Sequence, residues 1–387
     1  MQQPLPDPSG GPVIVGMSGG VDSAVAALLL RDAGHPVQGL FMSNWDDEDG
    51  YCTAASDFQD ARRVCETLDI PLHRVSFAEQ YRQQVFSHFL REYAAGRTPN
   101  PDVLCNREIK FGVCLEYMQR LGAAWIATGH YAQIRRVGSR PELLKAVDTA
   151  KDQSYFLHAV PAAALAKTLF PIGAMQKAQV RRLAHAAGLP VFDKPDSTGI
   201  CFIGERPFEE FLSRYLRTEP GPIETADGKV VGEHRGLALY TLGQRSGLRV
   251  GGRAGAAAAP WYVADKAAAR NALIVVQDQN HPLLLSDAFD VEQMHWIDPD
   301  EAREEIECAV KTRYRQNDLT CSMRAAGDLH HVTLSRAARA VTPGQYAVFY
   351  RGERCLGGGI IAQRFNSEFA AGARGINYNS LLSAEGS

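Results

Sequence analysis

The sequence lacks several features that would each assign it to a familiar class. No apolar run reaches the roughly 18 residues that span a bilayer. Residues 1–12 are polar and rich in Pro and Gly, without the basic and apolar segments of a secretory signal. No CxxC pair occurs among the eight cysteines, which removes the commonest spacings of zinc ribbons, thioredoxin-like proteins and iron–sulfur proteins. We therefore expect a cytoplasmic chain without a membrane partner, a resident metal site or a disulfide framework.

The chain also lacks an excess of charge of either sign. Its 41 Lys and Arg residues stand against 44 Asp and Glu residues, a formal net charge of −3. That balance argues against a nucleic-acid binder held by global charge, but it leaves local basic patches open. The densest stretch, residues 235–270, carries six cations and one acid: Arg235, Arg245, Arg249, Arg253, Lys266 and Arg270 against Asp265.

Strand-like and helix-like segments alternate in the first half of the 387 residues. Residues 12–16, 36–42, 71–77 and 125–128 are apolar and strand-like, and helical segments such as 21–33 and 57–68 separate them. This rhythm predicts an α/β domain with a parallel sheet. After about residue 205, short strands with turn glycines dominate. We predict an α/β domain over 1–205, a small β-rich adaptor domain over 206–280, a β-barrel over 281–366 and a flexible tail over 367–387.

The segment Ser18-Gly19-Gly20-Val21-Asp22-Ser23 follows the first strand and opens the first helix. Glycines let the backbone approach an anion, and the helix start supplies N–H donors and partial positive charge. The lysine of a Walker A loop is missing, and so is the GxGxxG pattern of dinucleotide folds. A Gly/Ser turn with a helix cap is the structural alternative. In this context the hexapeptide resembles the PP-loop of the ATP-pyrophosphatase superfamily, which implies a HUP-like domain.

Two cysteines have sequence neighbours that could take part in chemistry with their thiols. Cys105 follows Asp102 in a double-proline loop beside Arg107 and Lys110, and nearby cations favour a thiolate. Cys201 follows a Ser-Thr-Gly turn. Each has the alternative of a buried, small apolar residue. As a pair they allow sulfur chemistry, in which one thiol carries a persulfide and the other attacks it and forms a disulfide.

Eight stretches together resemble the bacterial MnmA family of tRNA-specific 2-thiouridylases, in order and over nearly the whole chain. They are GMSGGVDS (16–23), TPNPDVLCNREIKFG (98–112), ATGHYA (127–132), KDQSYFL (151–157), DSTGICFIGER (196–206), YTLGQRSGL (240–248), PWYV (260–263) and RYRQ (313–316). A generic PP-loop enzyme would share only the first.

The resemblance implies a persulfide-using tRNA-uridine 2-sulfurtransferase that adenylates oxygen 2 of the wobble uridine and releases 2-thiouridine, AMP and pyrophosphate. ATP, with magnesium bound to it, is the implied cofactor; tRNA and a persulfide donor, a cysteine desulfurase or relay protein, are the implied partners. Cys201 would accept the sulfur, Cys105 would be its partner, and Asp102 the acid or base. The binding residues implied are, for ATP, Gly16, Met17, Ser18, Gly19, Gly20, Val21, Asp22, Ser23, Met42 and Gly129; for the target base, Asn100, Pro101 and Asp102; and for tRNA, Lys151, Asp152, Gln153, Arg313 and Tyr314.

Two other functions remain open at this point. The chain could be another PP-loop ligase that forms AMP, although it shows no glutaminase segment. It could also be a non-catalytic RNA-binding or sulfur-carrier protein, but the intact SGGVDS motif together with Cys105 and Cys201 argues against that.

Overall fold

A computed structural model of the chain describes residues 5–45, 54–196, 208–250 and 259–366. The N-terminal region contains nine α-helices within these ranges: α1 (Val21–Asp32), α2 (Ala54–Leu68), α3 (Ala78–Tyr81), α4 (Ser87–Ala94), α5 (Pro101–Leu104), α6 (Cys114–Arg120), α7 (Ser154–Leu157), α8 (Ala162–Leu165) and α9 (Lys177–Ala186). Its strands are β1 (Val13–Gly16), β2 (Val37–Ser43), β3 (Leu72–Ser76), β4 (Trp125–Thr128), β5 (Gln133–Val137), β6 (Arg140–Leu144) and β7 (Thr168–Leu169).

Five of these strands form a parallel sheet in the order β3-β2-β1-β4-β7. β1 is apolar and buried because neighbours flank both of its edges and helices cover the sheet. The chain proceeds from β1 to one side and returns to β4 on the other, so the strand order reverses between β1 and β4. Ligands of open α/β sheets bind at such a switch point. The predicted parallel-sheet domain is confirmed.

Two β-rich regions follow. The central one contains α10 (Phe208–Ser213) and a four-stranded sheet of β8 (Gly221–Thr225), β9 (Val230–His234), β10 (Tyr262–Ala267) and β11 (Ala272–Val276). The last comprises β12 (Leu285–Trp296), β13 (Glu305–Lys311), β14 (Leu319–Ala326), β15 (Leu329–Arg339), β16 (Tyr346–Arg351) and β17 (Arg354–Phe365). Because β12 pairs with both β15 and β17, these six antiparallel strands close into a barrel. The predicted adaptor and barrel are confirmed as architectures, and the exact domain bounds stay predictions.

One hairpin that the sequence pattern did not predict joins the first region to the barrel. β5 and β6 pair with each other, and β6 continues the barrel sheet beside β17. The Lys145 amide donates to the Glu353 carbonyl at 2.9 Å, and Arg354 donates to Glu142 at 2.9 Å. The N-terminal region and the barrel therefore share a continuous sheet edge.

The basic stretch at 235–270 is partly neutralised by its own neighbours. Arg235 pairs with Glu209 at 2.5 Å and Arg270 with Glu224 at 2.5 Å. Lys266 is shielded enough that burial lowers its pKa to about 8, and Arg253 lies outside the described residues. Three of the six predicted cations are therefore paired with, or shielded by, other parts of the protein. The stretch does not present all six as one phosphate-binding surface.

The segment before α5 is held by both of the other regions. The Thr98 amide donates to the Pro343 carbonyl at 3.1 Å, and Gln345 Nε2 donates to the Thr98 carbonyl at 2.8 Å. Lys266 Nζ donates to the Gly96 carbonyl at 3.1 Å. The barrel and the central region thus set the position of the double-proline loop.

In the described ranges no helix is long and apolar enough to cross a membrane.

Gly344 offers a test of this anchoring. Its φ is +89°, and a Cβ atom there would lie 2.8 Å from the Thr98 nitrogen. Gly327, in the β14–β15 turn of the same barrel, has φ +62° and open space around it. Both Gly→Ala variants should lose about 1–2 kcal/mol for the left-handed backbone, and Gly344→Ala should lose roughly 1–3 kcal/mol more for the clash. Urea unfolding measures both, and equal losses would contradict the anchoring role of this contact.

Candidate active site

The turn between β1 and α1 is preorganised around an open helix end. Gly19 has φ +75°, and a Cβ atom there would lie 2.3 Å from the Asp57 carbonyl oxygen, so only glycine fits. The hydroxyls of Ser18 and Ser23 lie 3.1 Å apart, and the Ser18 amide donates to Ser23 Oγ at 3.2 Å. The first N–H groups of α1 have no acceptor within the helix. They carry partial positive charge and suit a phosphate.

A second glycine sets the other side of this turn. A Cβ atom on Gly129, directly after β4, would lie 2.5 Å from the Ser23 nitrogen. The chain beyond β4 therefore touches the first turn of α1 at the switch point of the sheet. Met42, near the end of the adjacent β2, is half-buried at the same edge. The structure thus brings the predicted ATP residues Gly16–Ser23, Met42 and Gly129 to one edge.

Two lysines that sequence reasoning missed flank the turn. Lys177, the first residue of α9, donates to the Asp22 carboxylate at 2.7 and 2.8 Å and pairs with Asp196 at 2.7 Å. Lys194 Nζ donates to the Gly19 carbonyl at 3.1 Å and pairs with Asp57 at 2.7 Å. Both lysines are distant in sequence from the turn and follow no local motif. The one available signal was that Lys194 lies two residues before the Cys201 stretch, which begins at Asp196.

Asp102 and Cys105 lie on one helical path, so the prediction that they belong to a loop is wrong, because Asn100 and Pro101 start α5 before them. Asn100 caps α5, since its Oδ1 accepts from the Asp102 amide at 3.2 Å, and Pro101 takes the first helical position. The path widens into a π-helix over Cys105–Val113 before α6. Burial raises the pKa of Asp102, although the nearby Lys110 cation opposes the shift. A carboxyl group that keeps its proton to higher pH is suited to general acid catalysis.

The Cys105 thiol is covered in this conformation, at 2% exposure. A thiol in that position reacts only after its helix opens or its neighbours move. π-helical turns often occur where a helix is modified for function, and the π-helix here begins at Cys105 itself. Cys201, its predicted partner, lies outside the described residues.

His130 connects this helical path to the phosphate turn. Its Nδ1 lies 2.7 Å from Thr128 Oγ1 at the end of β4, and its ring centroid lies 5.8 Å from that of Phe111. Burial lowers the pKa of His130 well below its ordinary range, and Lys110 adds to the shift. The imidazole is therefore neutral at physiological pH. Its position places the π-helix at the same sheet edge as the turn after β1.

The segment 151–153 lies beside the phosphate turn. Tyr131 links them, because its hydroxyl donates to Asp22 at 2.9 Å while its amide donates to Gln153 Oε1 at 2.9 Å. Lys151 pairs with Asp196 at 2.6 Å. Asp152 is buried, and its carboxylate accepts from the Ala146 amide at 3.0 Å and from Ser154 Oγ at 2.9 Å. That environment gives Asp152 a structural task; its contact with tRNA stays a prediction.

Arg313 and Tyr314 lie at the junction of the three regions. Arg313 donates to the Leu242 carbonyl at 2.6 Å and to Thr342 Oγ1 at 3.0 Å. The Tyr314 ring lies 4.5 Å from that of Phe156, and the Arg315 guanidinium lies 5.3 Å from the Tyr314 ring centre. A cation over a partly exposed aromatic ring can stack with a base or contact a phosphate.

No three His, Cys, Asp or Glu side chains cluster as a metal site would require in the part of the chain that the structure describes. The carboxylate of Asp22 is occupied by Lys177 and Tyr131.

Family comparisons cover the same three regions. A family model described as the tRNA methyl transferase HUP domain matches residues 11–205, its PRC-barrel domain matches 209–277, and an aminomethyltransferase beta-barrel domain matches 286–361. The tRNA-specific 2-thiouridylase MnmA of Tolumonas auensis is 55% identical over 92% of this chain and 97% of its own length. That of Vibrio cholerae is 54% identical over 91% and 96%, and that of Chromohalobacter salexigens 55% over 92% and 93%.

Fold and site together define a PP-loop protein, in which a HUP domain carries a phosphate turn at its switch point. At this level of identity over nearly the full length of its relatives, the chain belongs to the family of tRNA-specific 2-thiouridylases.

The environment of Asp102 predicts a measurable titration. Its carboxyl carbon should titrate above the ordinary pKa of about 3.9, because burial disfavours the charged form. Lys110→Met should raise the midpoint further, since a nearby cation favours the carboxylate. Lys229→Met, at an exposed turn lysine, should leave it unchanged. Carboxyl ¹³C NMR, assigned with Asp102→Asn, measures each midpoint. A wild-type midpoint at or below the ordinary value would refute this account of the site.

Proposed function

We propose that this protein is an ATP-dependent tRNA-uridine 2-sulfurtransferase that converts the wobble uridine of tRNA to 2-thiouridine. The observation that carries the proposal is the meeting, at one sheet edge, of a phosphate turn and a helix that bears an acid and a thiol. Family membership over more than nine-tenths of the chain supports it. A cytoplasmic location, where tRNA is modified, is part of the same proposal.

ATP fits the residues around the phosphate turn. The tight glycines at 19 and 129 leave the first turn of α1 open toward an anion, and the hydroxyls of Ser18 and Ser23 stand beside it. Gly16 and Met42 would border the nucleoside at the ends of β1 and β2. ATP would bring magnesium with it. ATP bound there would supply the AMP group that turns the uridine oxygen into a leaving group.

Asp102 would manage protons at the target base. Its raised pKa suits a carboxyl group that donates a hydrogen bond or a proton to the base. Asn100 and Pro101 would shape the pocket, because Asn100 caps the short helix that carries Asp102. A base inside a tRNA stem-loop must leave its stack to reach this edge, so base flipping is part of the proposal.

The sulfur step requires two thiols. A persulfide on Cys201, loaded by a desulfurase or relay protein, would attack carbon 2 with its terminal sulfur while the carbon–oxygen bond breaks and AMP leaves. The Cys105 thiolate would then attack the Cys201 sulfur. The sulfur–sulfur bond breaks, its outer sulfur stays on carbon 2, and a Cys105–Cys201 disulfide forms, which a dithiol reductant reopens. Cys105 must become accessible for this step, since it is 2% exposed here.

The tRNA would contact the residues at which the α/β domain meets the barrel. Lys151 and Gln153 border the phosphate turn, and Tyr314 packs against Phe156 on the barrel side. Arg313 would act there too, although its guanidinium also ties the central region to the barrel. Binding of this kind should weaken as salt rises.

A thiolation assay with matched cysteine variants tests the function. The wild-type protein, given ATP, magnesium, a persulfide donor and unmodified tRNA, should yield 2-thiouridine in the digested RNA. Cys201→Ala and Cys105→Ala should lower the rate by at least about a hundredfold, the scale of an essential nucleophile. Cys114→Ala is the matched control: Cys114 is equally buried, on the same helical path, with a pKa that burial raises to about 12.

The outcomes of this assay separate the alternatives. Absence of 2-thiouridine with wild type, on a tRNA that another thiolase modifies, would overturn the proposal. AMP formation without a thiolated product would favour another PP-loop ligase, and tRNA binding without AMP would favour a non-catalytic protein. Loss of transfer in Cys114→Ala equal to that in Cys105→Ala would remove the specific role of Cys105.

Glycine variants at the two ends of α1 test the nucleotide site. Gly19→Ala should weaken ATP binding roughly tenfold or more, because the Cβ atom meets backbone at 2.3 Å and deforms the turn. Gly34→Ala, at a similar φ of +84° but in open space, should leave affinity within about twofold. Calorimetric titration with ATP measures both. Equal affinities would remove the turn from the ATP site.

A further inference from the structure

The charged side chains beside the phosphate turn are linked to one another by ion pairs. Asp196 accepts ion pairs from three cations, Lys151 at 2.6 Å, Lys177 at 2.7 Å and Arg181 at 3.1 Å. Lys177 is shared, because it also grips the Asp22 carboxylate on the first turn of α1. Its side chain is only 12% exposed. These five side chains, Lys151, Lys177, Arg181, Asp22 and Asp196, are the anion cluster.

Three cations of the cluster face three carboxylates. Besides Asp22 and Asp196, the Asp148 carboxylate accepts from the Lys177 amide at 2.9 Å. The cations hold the pKa of Asp196 at about 2, so its carboxylate stays charged throughout the physiological range. Three donors around one carboxylate form the kind of arrangement that also binds a phosphate group.

The position of the cluster links it to the nucleotide. Lys177 Nζ lies within hydrogen-bond distance of Asp22, one residue beyond the start of α1. A polyphosphate seated on the first N–H groups of α1 therefore lies beside Lys177. Arg181, one turn further along α9, shares Asp196 with it. Lys194 is fixed to the Gly19 carbonyl and to Asp57, so it serves the turn itself.

We propose that Lys177, Arg181 and Lys151 form the subsite for the leaving pyrophosphate, and that Asp196 fills it as a resident carboxylate which the pyrophosphate displaces. The proposal rests on the proposed function, in which ATP binds at the turn after β1. Pyrophosphate carries more negative charge than one carboxylate and offers more acceptor oxygens, so it competes for the same donors. When pyrophosphate departs, Asp196 binds the same donors again and thereby speeds the release of pyrophosphate.

A different role for Asp196 would have the opposite signature. If its carboxylate held the magnesium of the nucleotide, its removal would weaken pyrophosphate binding. If it only kept α9 in place, removal would also weaken binding. A displaced competitor predicts tighter binding when the acid is lost, whereas these two other roles predict weaker binding.

The test is calorimetric titration of the full-length protein with inorganic pyrophosphate, with and without magnesium. Asp196→Asn should tighten binding about threefold to tenfold, the size expected for one partly screened charge near a surface. Lys177→Met should weaken it at least about tenfold. Asp193→Asn is the matched control, because Asp193 is an exposed acid three residues upstream, and it should leave the affinity unchanged. Thermal unfolding verifies that the variants are folded. If Asp196→Asn does not fold, Asp196→Ser takes its place, with the same expected gain in affinity.

The result separates this inference from the function on which it rests. Wild-type protein that binds ATP and pyrophosphate, with Asp196→Asn binding pyrophosphate equally or more weakly, would overturn the inference and leave the ATP site intact. Wild-type protein that binds neither ligand would overturn the ATP site and the inference together.

Discussion

The close approach of the chain after β4 to the first turn of α1 is the constraint on which the site depends. Gly129 fits against the Ser23 nitrogen only because it has no Cβ atom. This contact joins the ends of two neighbouring parallel strands at the point where the sheet order reverses. It positions His130 against the π-helix that starts at Cys105 and Tyr131 against Asp22. The acid, the thiol and the phosphate turn meet at one edge for that reason.

The barrel is more than an appended binding module. It holds the double-proline loop through Pro343 and Gln345, and its sheet is extended by a hairpin from the α/β domain. Lys266 of the central region grips the same loop at Gly96. Each region therefore contributes to the position of Asp102. A change far from the chemistry can alter activity by moving this loop, because a displacement of about 1 Å in a reacting group can cost much of the rate.

The local parts of the site were predictable because each is encoded in consecutive residues. Gly19 supplies a turn that other residues cannot adopt, and Asn100 with Pro101 favours the start of a helix. The ion pairs were not predictable. Lys177 and Lys194 resemble solvated lysines in sequence, and their partners Asp22 and Asp57 lie more than 130 residues away. The buried state of Asp152 was hidden for the same reason, since it depends on packing beside Ser154 and Tyr350.

The sequence by itself determined the succession of elements, the phosphate turn, the acid–thiol helix and, through motifs spread over the chain, the family. Those features depend on backbone preferences and on neighbouring residues. Tertiary structure alone decided which charges meet, which acid is buried and how the barrel grips the loop before Asp102. Such pairings depend on the meeting of segments distant in the chain, and many sequences with the same local patterns would place those side chains in solvent instead.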